Sequence, residues 1–402
     1  MRVLIAAREY PPYVVGGVAV HTYRLARALR GIGVHVDVVS FGYRSTAVNE
    51  ARGAAMFMEA KSSIIARGDE GPLRDLMILS DIARYTAYVG RLLRSGRYDV
   101  LHVEEPYVGG FIDFDGKVTT IHDTSYGEIR AILGSRSITS YVLRKMVFYA
   151  TPGYTAEYAS WITSRAVITP SPQVRDELVN VYRLNPSKIH VIPNGVEEPG
   201  RGEPGREEAK RILGLDGLLV VFTTAQHIPR KRLDLLLKAA TLLRDKWAGR
   251  ARIIIGGDGP LTPQLVRMAR EQGLQGFVEF AGWIPDDRLP IYYRASDVFV
   301  VTSDYEAGPQ TLLEAGIRGC ALVSSRIPLF PALMRNRVDG VTFKPGDHVE
   351  LAKALDSVLE DEELRKRLSE NAVRFASRFT WRKIAEYTLA VYRRVVEEAQ
   401  QK

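Results

Sequence analysis

The chain has 402 residues, enough for two or three domains that each bury their own core, and its 46% hydrophobic and 25% charged residues are typical of a globular protein. Its 55 basic and 47 acidic side chains give a formal charge of +8, which suits an anionic partner. The arginines are spread through amphipathic segments, without dense basic runs or interleaved aromatic residues, which argues against a nucleic-acid binder.

Short apolar segments alternate with longer amphipathic ones along the first half of the chain, and each short segment predicts a strand. These predicted strands span residues 3–7, 34–40, 99–103, 118–122, 166–169 and 189–192. Such alternation indicates a parallel sheet with crossover helices. The periodicity stops between residues 196 and 205, where we predict a linker.

The alternation resumes after the linker. The predicted strands there span residues 218–223, 252–255, 278–280, 297–301, 321–324 and 340–343. We therefore predict an α/β fold with two doubly wound domains, residues 1–197 and 206–380, whose carboxyl-end loops face one another across a cleft. A last amphipathic helix, within about residues 381–402, is expected to pack back across the domain junction.

The sequence contains no apolar run that approaches the length of a membrane-spanning helix. The first residues enter a strand directly, so we expect no signal peptide and a cytoplasmic location. The single cysteine, Cys320, cannot form an internal disulfide. It lies in an apolar run that predicts a core position, which makes it a poor candidate nucleophile.

Two candidate features of the first domain lie at predicted carboxyl ends of strands. Gly16 and Gly17 follow the first strand and precede a helix. A glycine pair there lets backbone amides approach a phosphate, and an ordinary tight turn is the alternative explanation. His122 ends the fourth strand, so it lies at the same rim and is the best placed of the seven histidines for chemistry.

A basic segment in the second domain follows the strand that ends near residue 223. It contains Gln226 and three consecutive cations, Arg230, Lys231 and Arg232, just before a helix. Helix starts disfavour cations, so we interpret these charges as a site that neutralises an anion.

Two other strand ends in this domain give weaker signals. Gly259 lies in a glycine-rich turn at residues 256–260, and Ile284 ends a segment whose backbone could present polar groups to the edge of a base. Neither paired histidines at helical spacing nor an Asp-x-Asp on a strand end occurs, so we predict no metal site.

The segment from Glu306 to Glu314 is the most informative in the chain. Glu306 lies on the loop after the predicted strand 297–301, where open α/β sheets bind ligands. Glu314 lies about 7 Å further along the following helix, at about 1.5 Å per residue, which is roughly the separation of a diphosphate from its ribose. The alternative is that both glutamates only complement the helix dipole.

The start of that helix is a predicted anion site. Pro309 suits the first helical turn, where its missing N–H costs nothing, and the amides of Gly308, Gln310 and Thr311 are expected to point outward. A phosphate fits this arrangement.

Together these segments resemble the retaining glycosyltransferases of family four, which have the GT-B architecture of two facing Rossmann-like domains. The resemblance covers nearly the whole chain. It depends on an ordered set of motifs: Gly16-Gly17, His122-Asp123, Ile192-Pro193-Asn194-Gly195-Val196, Lys231, residues 256–260, Glu306 with Glu314, and Gly319. It implies that a sugar passes from a nucleoside-diphosphate sugar to an acceptor, with retained anomeric configuration and without a metal ion or other cofactor.

The resemblance also implies a role for each matching residue. The implied catalytic residues are His122 at the transferring sugar, Lys231 at the leaving diphosphate and Glu306 at the hydroxyls of the donor sugar. The implied donor-binding residues are Gly16, Gly17, Gln226, Arg230, Lys231, Gly259, Ile284, Glu306, Gly308, Pro309, Gln310 and Glu314. In this family the final helix commonly returns to the first domain.

The sequence departs from the family pattern in three places. Gln226 stands where an arginine is usual, five residues before the lysine, and Arg230 is expected to replace its charge. Arg232 stands where a glycine usually follows the lysine. Ala307-Gly308-Pro309 replaces a frequent Gly-Phe-Gly, which removes one backbone donor to the phosphates. These changes bear on donor choice and rate.

The leading hypothesis is a metal-independent transfer of a hexosyl unit from a nucleotide sugar to a hydroxyl acceptor, either a sugar, a glycan or a lipid-linked group. A nucleotide-sugar epimerase on the same architecture and a non-catalytic basic scaffold that binds a membrane or polymer remain alternatives. Residues 137–149 combine apolar and aromatic residues with Arg144 and Lys145, so peripheral contact with an anionic membrane at the inner face of the cell membrane is a further hypothesis. The alternative interpretation is that this segment forms a helix packed on the sheet.

Overall fold

The computed structural model describes residues 1–13, 16–60, 74–134, 154–306, 308, 310–327 and 334–401. The chain divides into two compact units. The first consists of Met1–Arg130, Ile138–Gly195 and Trp381–Lys402, and the second of Ala131–Ser137 and Val196–Thr380.

The first unit contains a mainly parallel sheet in the strand order β3-β4-β2-β1-β5-β6-β7-β8. Its strands are β1 (Arg2–Ala6), β2 (His35–Gly42), β3 (Thr46–Glu50), β4 (Gly53–Glu59), β5 (Val100–Val103), β6 (Lys117–Thr120), β7 (Ala166–Thr169) and β8 (Ile189–Val191). Its described helices are α1 (Gly17–Gly31), α2 (Arg74–Arg94), α3 (Pro106–Gly109), α4 (Ser125–Gly134), α5 (Tyr154–Ile162) and α6 (Pro172–Asn180), with α14 (Trp381–Gln400) from the end of the chain. The last four residues of α4 fall in the second unit.

The six strands predicted for the first half of the chain are confirmed, but the edge hairpin of β3 and β4 was missed. These two strands pair antiparallel, at the side of an otherwise parallel sheet. β3 is half-buried or exposed along its whole length, so it has no apolar run to reveal it. Edge strands need only one pairing partner and few buried side chains.

The central strand β1 shows why the sheet is covered on both faces. Val3 and Ile5 belong to a core cluster with α1 and α14, whereas Leu4 and Ala6 belong to another with α2. Successive side chains of a strand point to opposite faces, so a strand buried on both faces is a continuous apolar run.

The final helix α14 is part of the first unit. Tyr392 and Trp381 lie in the same core cluster as β1. A Cβ on Gly195 would lie 2.4 Å from the Trp381 ring, so only glycine allows the chain to leave the first unit at this point.

The second unit contains a parallel sheet in the order β11-β10-β9-β12-β13-β14. Its strands are β9 (Leu219–Thr224), β10 (Ala251–Gly256), β11 (Val278–Gly282), β12 (Val298–Val301), β13 (Ala321–Ser325) and β14 (Val341–Phe343). Its described helices are α7 (Arg206–Leu213), α8 (Leu233–Trp247), α9 (Thr262–Glu271), α10 (Leu289–Ala295), α11 (Gln310–Ile317), α12 (His348–Glu360) and α13 (Glu362–Ala376). All six predicted strands are confirmed, and two parallel-sheet, Rossmann-like units confirm the predicted fold class.

The segment predicted as a linker is held in place at both ends. Val196 N donates to Phe379 O at 2.8 Å, and Arg318 forms an ion pair with Glu203 at 2.8 Å. Irregular backbone fixed by such contacts has no periodicity that a sequence pattern could show. Among the described helices none is long and apolar enough to cross a membrane.

Cys320 lies in the core, as its sequence context predicted. It is fully buried, and burial raises the pKa of its thiol to about 12. The thiol donates to Tyr293 O at 3.0 Å. Because its pKa is raised, Cys320 is not a reactive thiolate at neutral pH.

Candidate functional site

The second unit brings Lys231 and Glu306 into contact, although 75 positions separate them in the sequence. β9 and β12 are neighbouring parallel strands, so the loops that follow them meet at one edge of the sheet. Lys231 Nζ donates to Glu306 Oε1 at 2.5 Å, and Arg230 Nη1 lies 4.0 Å from Glu306 Oε2.

Glu306 is a buried, charged carboxylate. Only 6% of the residue is exposed, and Ser303 Oγ donates to Oε1 at 2.5 Å. Burial by itself would raise the pKa of Glu306, but the charges of Lys231 and Arg230 lower it below its usual value. The loop thus presents an ionised acceptor beside two cations.

Backbone contacts fix the positions of these two loops. Asp304 N donates to Arg230 O at 2.9 Å, and Thr302 Oγ1 donates to Lys231 O at 2.7 Å. The relative placement of the lysine and the glutamate therefore does not depend on their own ion pair alone. Such preorganisation is what a site for a developing charge requires.

Arg232 has a structural role, contrary to the prediction that all three cations face an anion. Its backbone is left-handed, with φ of 50° and ψ of 40°, a region that favours glycine. Its guanidinium contacts Asp304 at 2.9 Å and Asp234 at 3.1 Å. These pairs hold an arginine at a position where the backbone suits glycine.

Helix α11 begins at Gln310 and positions Glu314 one turn along. Tyr293, which is buried, donates its hydroxyl to Glu314 Oε2 at 3.0 Å and so orients the carboxylate. Gly308 lies just before the helix and is half-buried. Pro309 lies outside the described residues.

Close packing explains the glycine-rich turn after β10. A Cβ on Gly259 would lie 2.6 Å from His227 O, and one on Gly257 would lie 2.0 Å from Ala225 O. The amide of Gly259 donates to Asp258 Oδ1 at 2.7 Å, so it already has an acceptor. Gln226 is exposed on the adjacent loop, and Ile284 is buried against Gly256.

In the first unit, Gly16 and Gly17 lie where β1 leads into α1. Gly16 caps the helix, and a Cβ on either glycine would meet no atom of the described residues within 4 Å. Gly16 N donates to Glu9 Oε2 at 2.9 Å. A carboxylate acceptor at this amide is compatible with an anion-binding turn, but this amide is not unoccupied as the sequence suggested.

His122 lies just beyond β6, in contact with two residues that the sequence analysis did not select. Its Nε2 is 3.0 Å from Glu104 Oε2, and His21 Nε2 is 3.8 Å from the same oxygen. Glu104 directly follows β5, the neighbour of β6, so the rule that selected His122 could have found it. His21 lies within α1, where nothing in its spacing distinguishes it from a core residue.

Burial and charge act in opposite directions on this cluster. Burial would raise the pKa of Glu104, but the surrounding imidazoles lower it to about 2. Burial would lower the pKa of His122, yet the hydrogen bond and charge of Glu104 raise it. Burial lowers the pKa of His21 to about 3. The carboxylate is therefore charged, and His122 is the imidazole that gains the proton.

The same three side chains could hold a metal ion. One ligand atom each from His21, Glu104 and His122 lie within 4.8 Å of one another. The sequence predicted no metal site because these residues come from three separate segments, and no short spacing reveals them.

Two family models match the chain, one in each half. A model described as "Glycosyltransferase Family 4" matches residues 15–198, and one described as "Glycosyl transferases group 1" matches residues 205–375. Similar curated proteins include an uncharacterized glycosyltransferase of Methanocaldococcus jannaschii, 24% identical over 412 residues and covering 99% of both chains. A D-inositol 3-phosphate glycosyltransferase of Frankia alni is 27% identical over 408 residues and covers 96% of both chains.

Solved structures share the fold. A sucrose-phosphate synthase from Thermosynechococcus elongatus has a TM-score of 0.79 at 18% identity, with 99% of this chain and 100% of that chain covered. Anabaena HepE, solved in complex with UDP and glucose, has a TM-score of 0.70 at 18% identity, with 97% of this chain and 98% of that chain covered.

Proposed function

Because the chain belongs to the group 1 and family 4 glycosyltransferases and has their GT-B fold, we propose that it transfers a hexosyl unit from a nucleoside-diphosphate sugar to a hydroxyl acceptor. The proposed transfer retains the anomeric configuration and needs no metal ion. The contact between Lys231 and Glu306 at the carboxyl ends of β9 and β12 is the observation that supports it most directly.

In the proposed reaction, the second unit binds the donor. Lys231 and Arg230 neutralise the charge that develops on the leaving diphosphate, as a metal ion does in other enzymes. Glu306 accepts from hydroxyls of the donor sugar, and Glu314 accepts from those of the ribose. The contact from Tyr293 to Glu314 supports this role, because an oriented carboxylate loses less entropy on binding.

The first unit is proposed to bind the diphosphate and the transferring sugar from its own rim. Gly16 and Gly17 supply backbone that a phosphate can approach closely, and His122 contacts the sugar. The acceptor hydroxyl attacks the face of the sugar from which the diphosphate leaves. Charge stabilisation provides most of the rate enhancement in this proposal.

Panels of nucleotide sugars and acceptors identify the base of the donor, the sugar that is transferred and the acceptor. HepE was solved with UDP, and another structure of this fold, Arabidopsis starch synthase IV, with ADP. We therefore expect a uridine or adenosine diphosphate sugar to raise the thermal midpoint and to release its sugar to an acceptor. D-inositol 3-phosphate and glucans, suggested by the names of relatives, are the first acceptors to supply.

Product analysis separates the proposal from its alternatives. A new glycoside with the anomeric configuration of the donor supports transfer with retention. A changed sugar that stays on the nucleotide would instead indicate an epimerase. No release of sugar from any donor, with intact binding of anionic vesicles or polymers, would indicate a scaffold.

A lipid-linked acceptor is tested with vesicles. Residues 137–149, which lie outside the described residues, carry Arg144 and Lys145. Binding to anionic but not neutral vesicles, lost when both residues are changed to glutamate, would support contact with an anionic membrane. Binding to neither would support an acceptor that is a free sugar or glycan.

A further inference from the structure

Three side chains from different segments of the first unit converge on one point. His21 comes from α1, Glu104 follows β5 and His122 follows β6. The Nε2 atoms of His122 and His21 lie 3.0 Å and 3.8 Å from Glu104 Oε2. Tetrahedral zinc, with bonds of about 2.0–2.2 Å, separates its ligand atoms by about 3.3 Å. The two observed distances lie on either side of that value.

Glu104 supplies an independent observation. It is fully buried, and its second oxygen, Oε1, has no hydrogen-bond partner among the described residues. His102 Nε2 is 3.7 Å from Oε1 and is already paired with Thr120 Oγ1 at 2.6 Å. A buried oxygen without a partner is costly. The oxygen that faces His122 and His21 is Oε2, so an ion in this cluster satisfies Oε1 as well only where the carboxylate binds it through both oxygens.

The ligand types favour one class of ion. Two imidazole nitrogens and one carboxylate suit zinc and its neighbours in the first transition row, whereas magnesium and calcium prefer oxygen alone. His122 keeps 16% of its side chain exposed, so solvent can reach the cluster. Three protein ligands with one accessible side leave a fourth position for water.

We propose that His21, Glu104 and His122 form a binding site for a divalent transition-metal ion of the zinc type. The ion has no part in the transfer reaction. It holds the ring of His122, and this regulatory consequence rests on the proposed function, in which His122 contacts the transferring sugar. Zinc and productive donor binding are then in competition for His122.

Calorimetric titration of the full chain with zinc chloride tests the site. Wild type is expected to bind one ion, with affinity at least tenfold lower in His21→Gln and in Glu104→Gln. His348→Gln, which changes a half-buried histidine of the other unit, is the control and should bind like wild type. Equal affinity in wild type and His21→Gln, or no one-to-one binding, would overturn the site.

Cobalt titration of wild type keeps the test valid even where a variant fails to fold. Four-coordinate cobalt bound by two nitrogens and one oxygen gives visible absorption bands much stronger than those of the six-coordinate aqueous ion. One equivalent of zinc should displace the cobalt and abolish these bands. A spectrum unchanged from aqueous cobalt would contradict a preformed site.

Activity measurements test the proposed competition between zinc and the donor for His122. Zinc is expected to reduce the turnover of wild type severalfold, with recovery in EDTA, and each variant is compared with its own metal-free rate. Inhibition that persists unchanged in His21→Gln would overturn the competition for His122. Should no nucleotide sugar give turnover, the proposed function fails, and calorimetry still decides whether the metal site exists.

Discussion

At the residue scale, Lys231 is the side chain that the proposed function places at the leaving diphosphate. It keeps 17% of its side chain exposed, and it contacts the carboxylate of Glu306 at 2.5 Å. Its backbone oxygen is held by Thr302. A cation held in this way meets a developing negative charge without reorganising.

Lys231→Ala is therefore expected to lower turnover about a hundredfold, equivalent to about 3 kcal/mol of transition-state stabilisation. The measurement is kcat at saturating donor. Lys246→Ala is the control, because Lys246 is an exposed residue of α8 whose ion pairs with Asp356 and Glu360 lie on the surface. A similar loss in both variants would contradict a specific role for Lys231.

The two glutamates should differ in what they affect. Glu314→Ala is expected to weaken nucleoside-diphosphate binding, because the ribose that it is proposed to contact is unchanged in the reaction. Glu306→Ala should keep that affinity and lose turnover, since Lys231 stays available to the phosphates. Calorimetry with nucleoside diphosphates, alongside kcat, measures both effects.

Tyr293→Phe serves as the matched control for Glu314, because it removes one hydrogen bond to this carboxylate and keeps the ring. It should weaken nucleotide binding less than Glu314→Ala does. An equal loss of nucleotide affinity in the Glu306 and Glu314 variants would contradict the division of roles.

At the element scale, the turn between β9 and α8 contains a strained residue. Arg232 has a φ of 50°, and its ion pairs with Asp304 and Asp234 support that conformation. Replacement of Arg232 by alanine or by glycine removes these ion pairs, but only glycine also removes the backbone strain.

Arg232→Gly should therefore be more stable than Arg232→Ala by about 1 kcal/mol, seen as a higher thermal midpoint. Lys238 gives the reverse comparison, because it lies inside α8, where alanine is preferred over glycine by about 1 kcal/mol. If the alanine variant is more stable than the glycine variant at both positions, Arg232 is not strained.

The start of α4 is tied to α5 by a buried glutamate. Glu157 Oε1 accepts from Ser125 N and Ser125 Oγ, each at 2.8 Å, and the Tyr182 hydroxyl lies 3.1 Å from Oε2. Burial raises the pKa of Glu157 to about 7. The folded state therefore favours the protonated acid, whose stabilising effect is complete at low pH and is lost as the pH rises through about 7.

We expect the free energy of unfolding to fall between pH 5 and pH 8, by about 3 kcal/mol at most from this group. Glu157→Gln, which keeps an acceptor for Ser125 and cannot ionise, should remove most of that loss. Urea denaturation at pH 5 and at pH 8 measures the free energy of unfolding of each variant. Glu363→Gln, an exposed change in α13, should leave the wild-type dependence in place.

At the scale of the whole molecule, the candidate residues are divided between two units with separate cores. The first unit carries the glycine turn and the histidine cluster, and the second carries Lys231, Glu306 and Glu314. The proposed function assigns the neutralisation of the diphosphate to Lys231 and Arg230 and not to a metal ion. Glu306, the carboxylate beside these cations, is already paired with Lys231 at 2.5 Å and lies 4.0 Å from Arg230.

Transfer activity is therefore expected to survive chelation. EDTA should leave turnover unchanged, or raise it where zinc had occupied the histidine cluster. Dialysis against EDTA followed by a rate measurement with and without added magnesium tests this. Turnover lost in EDTA and restored by magnesium or manganese would show that the diphosphate needs a metal ion after all.

The alternation of apolar and amphipathic segments was sufficient to predict both sheets, because a parallel strand buried on both faces is itself a continuous apolar run. It was not sufficient for β3, an edge strand with exposed side chains. Motifs at strand ends selected Lys231, Glu306 and His122, because the carboxyl edge of a parallel sheet collects the loops that follow its strands.

Which of these side chains contact one another was decided by the tertiary structure alone. Glu306 was expected to bind the donor sugar, and the structure adds its pairing with Lys231, which forms because β9 and β12 are neighbours. Arg232 was interpreted as one of three cations that neutralise an anion, and the structure pairs it with Asp304 in the turn. Glu104 lies at a strand end that the same rule could have selected, whereas His21 gave no signal, since its relation to His122 exists only through the packing of α1. The sequence by itself determined the fold and the rim on which its candidates lie, through local periodicity and strand order. Partnership between charges depends on distances between segments remote in the chain, and those distances exist only in the folded protein.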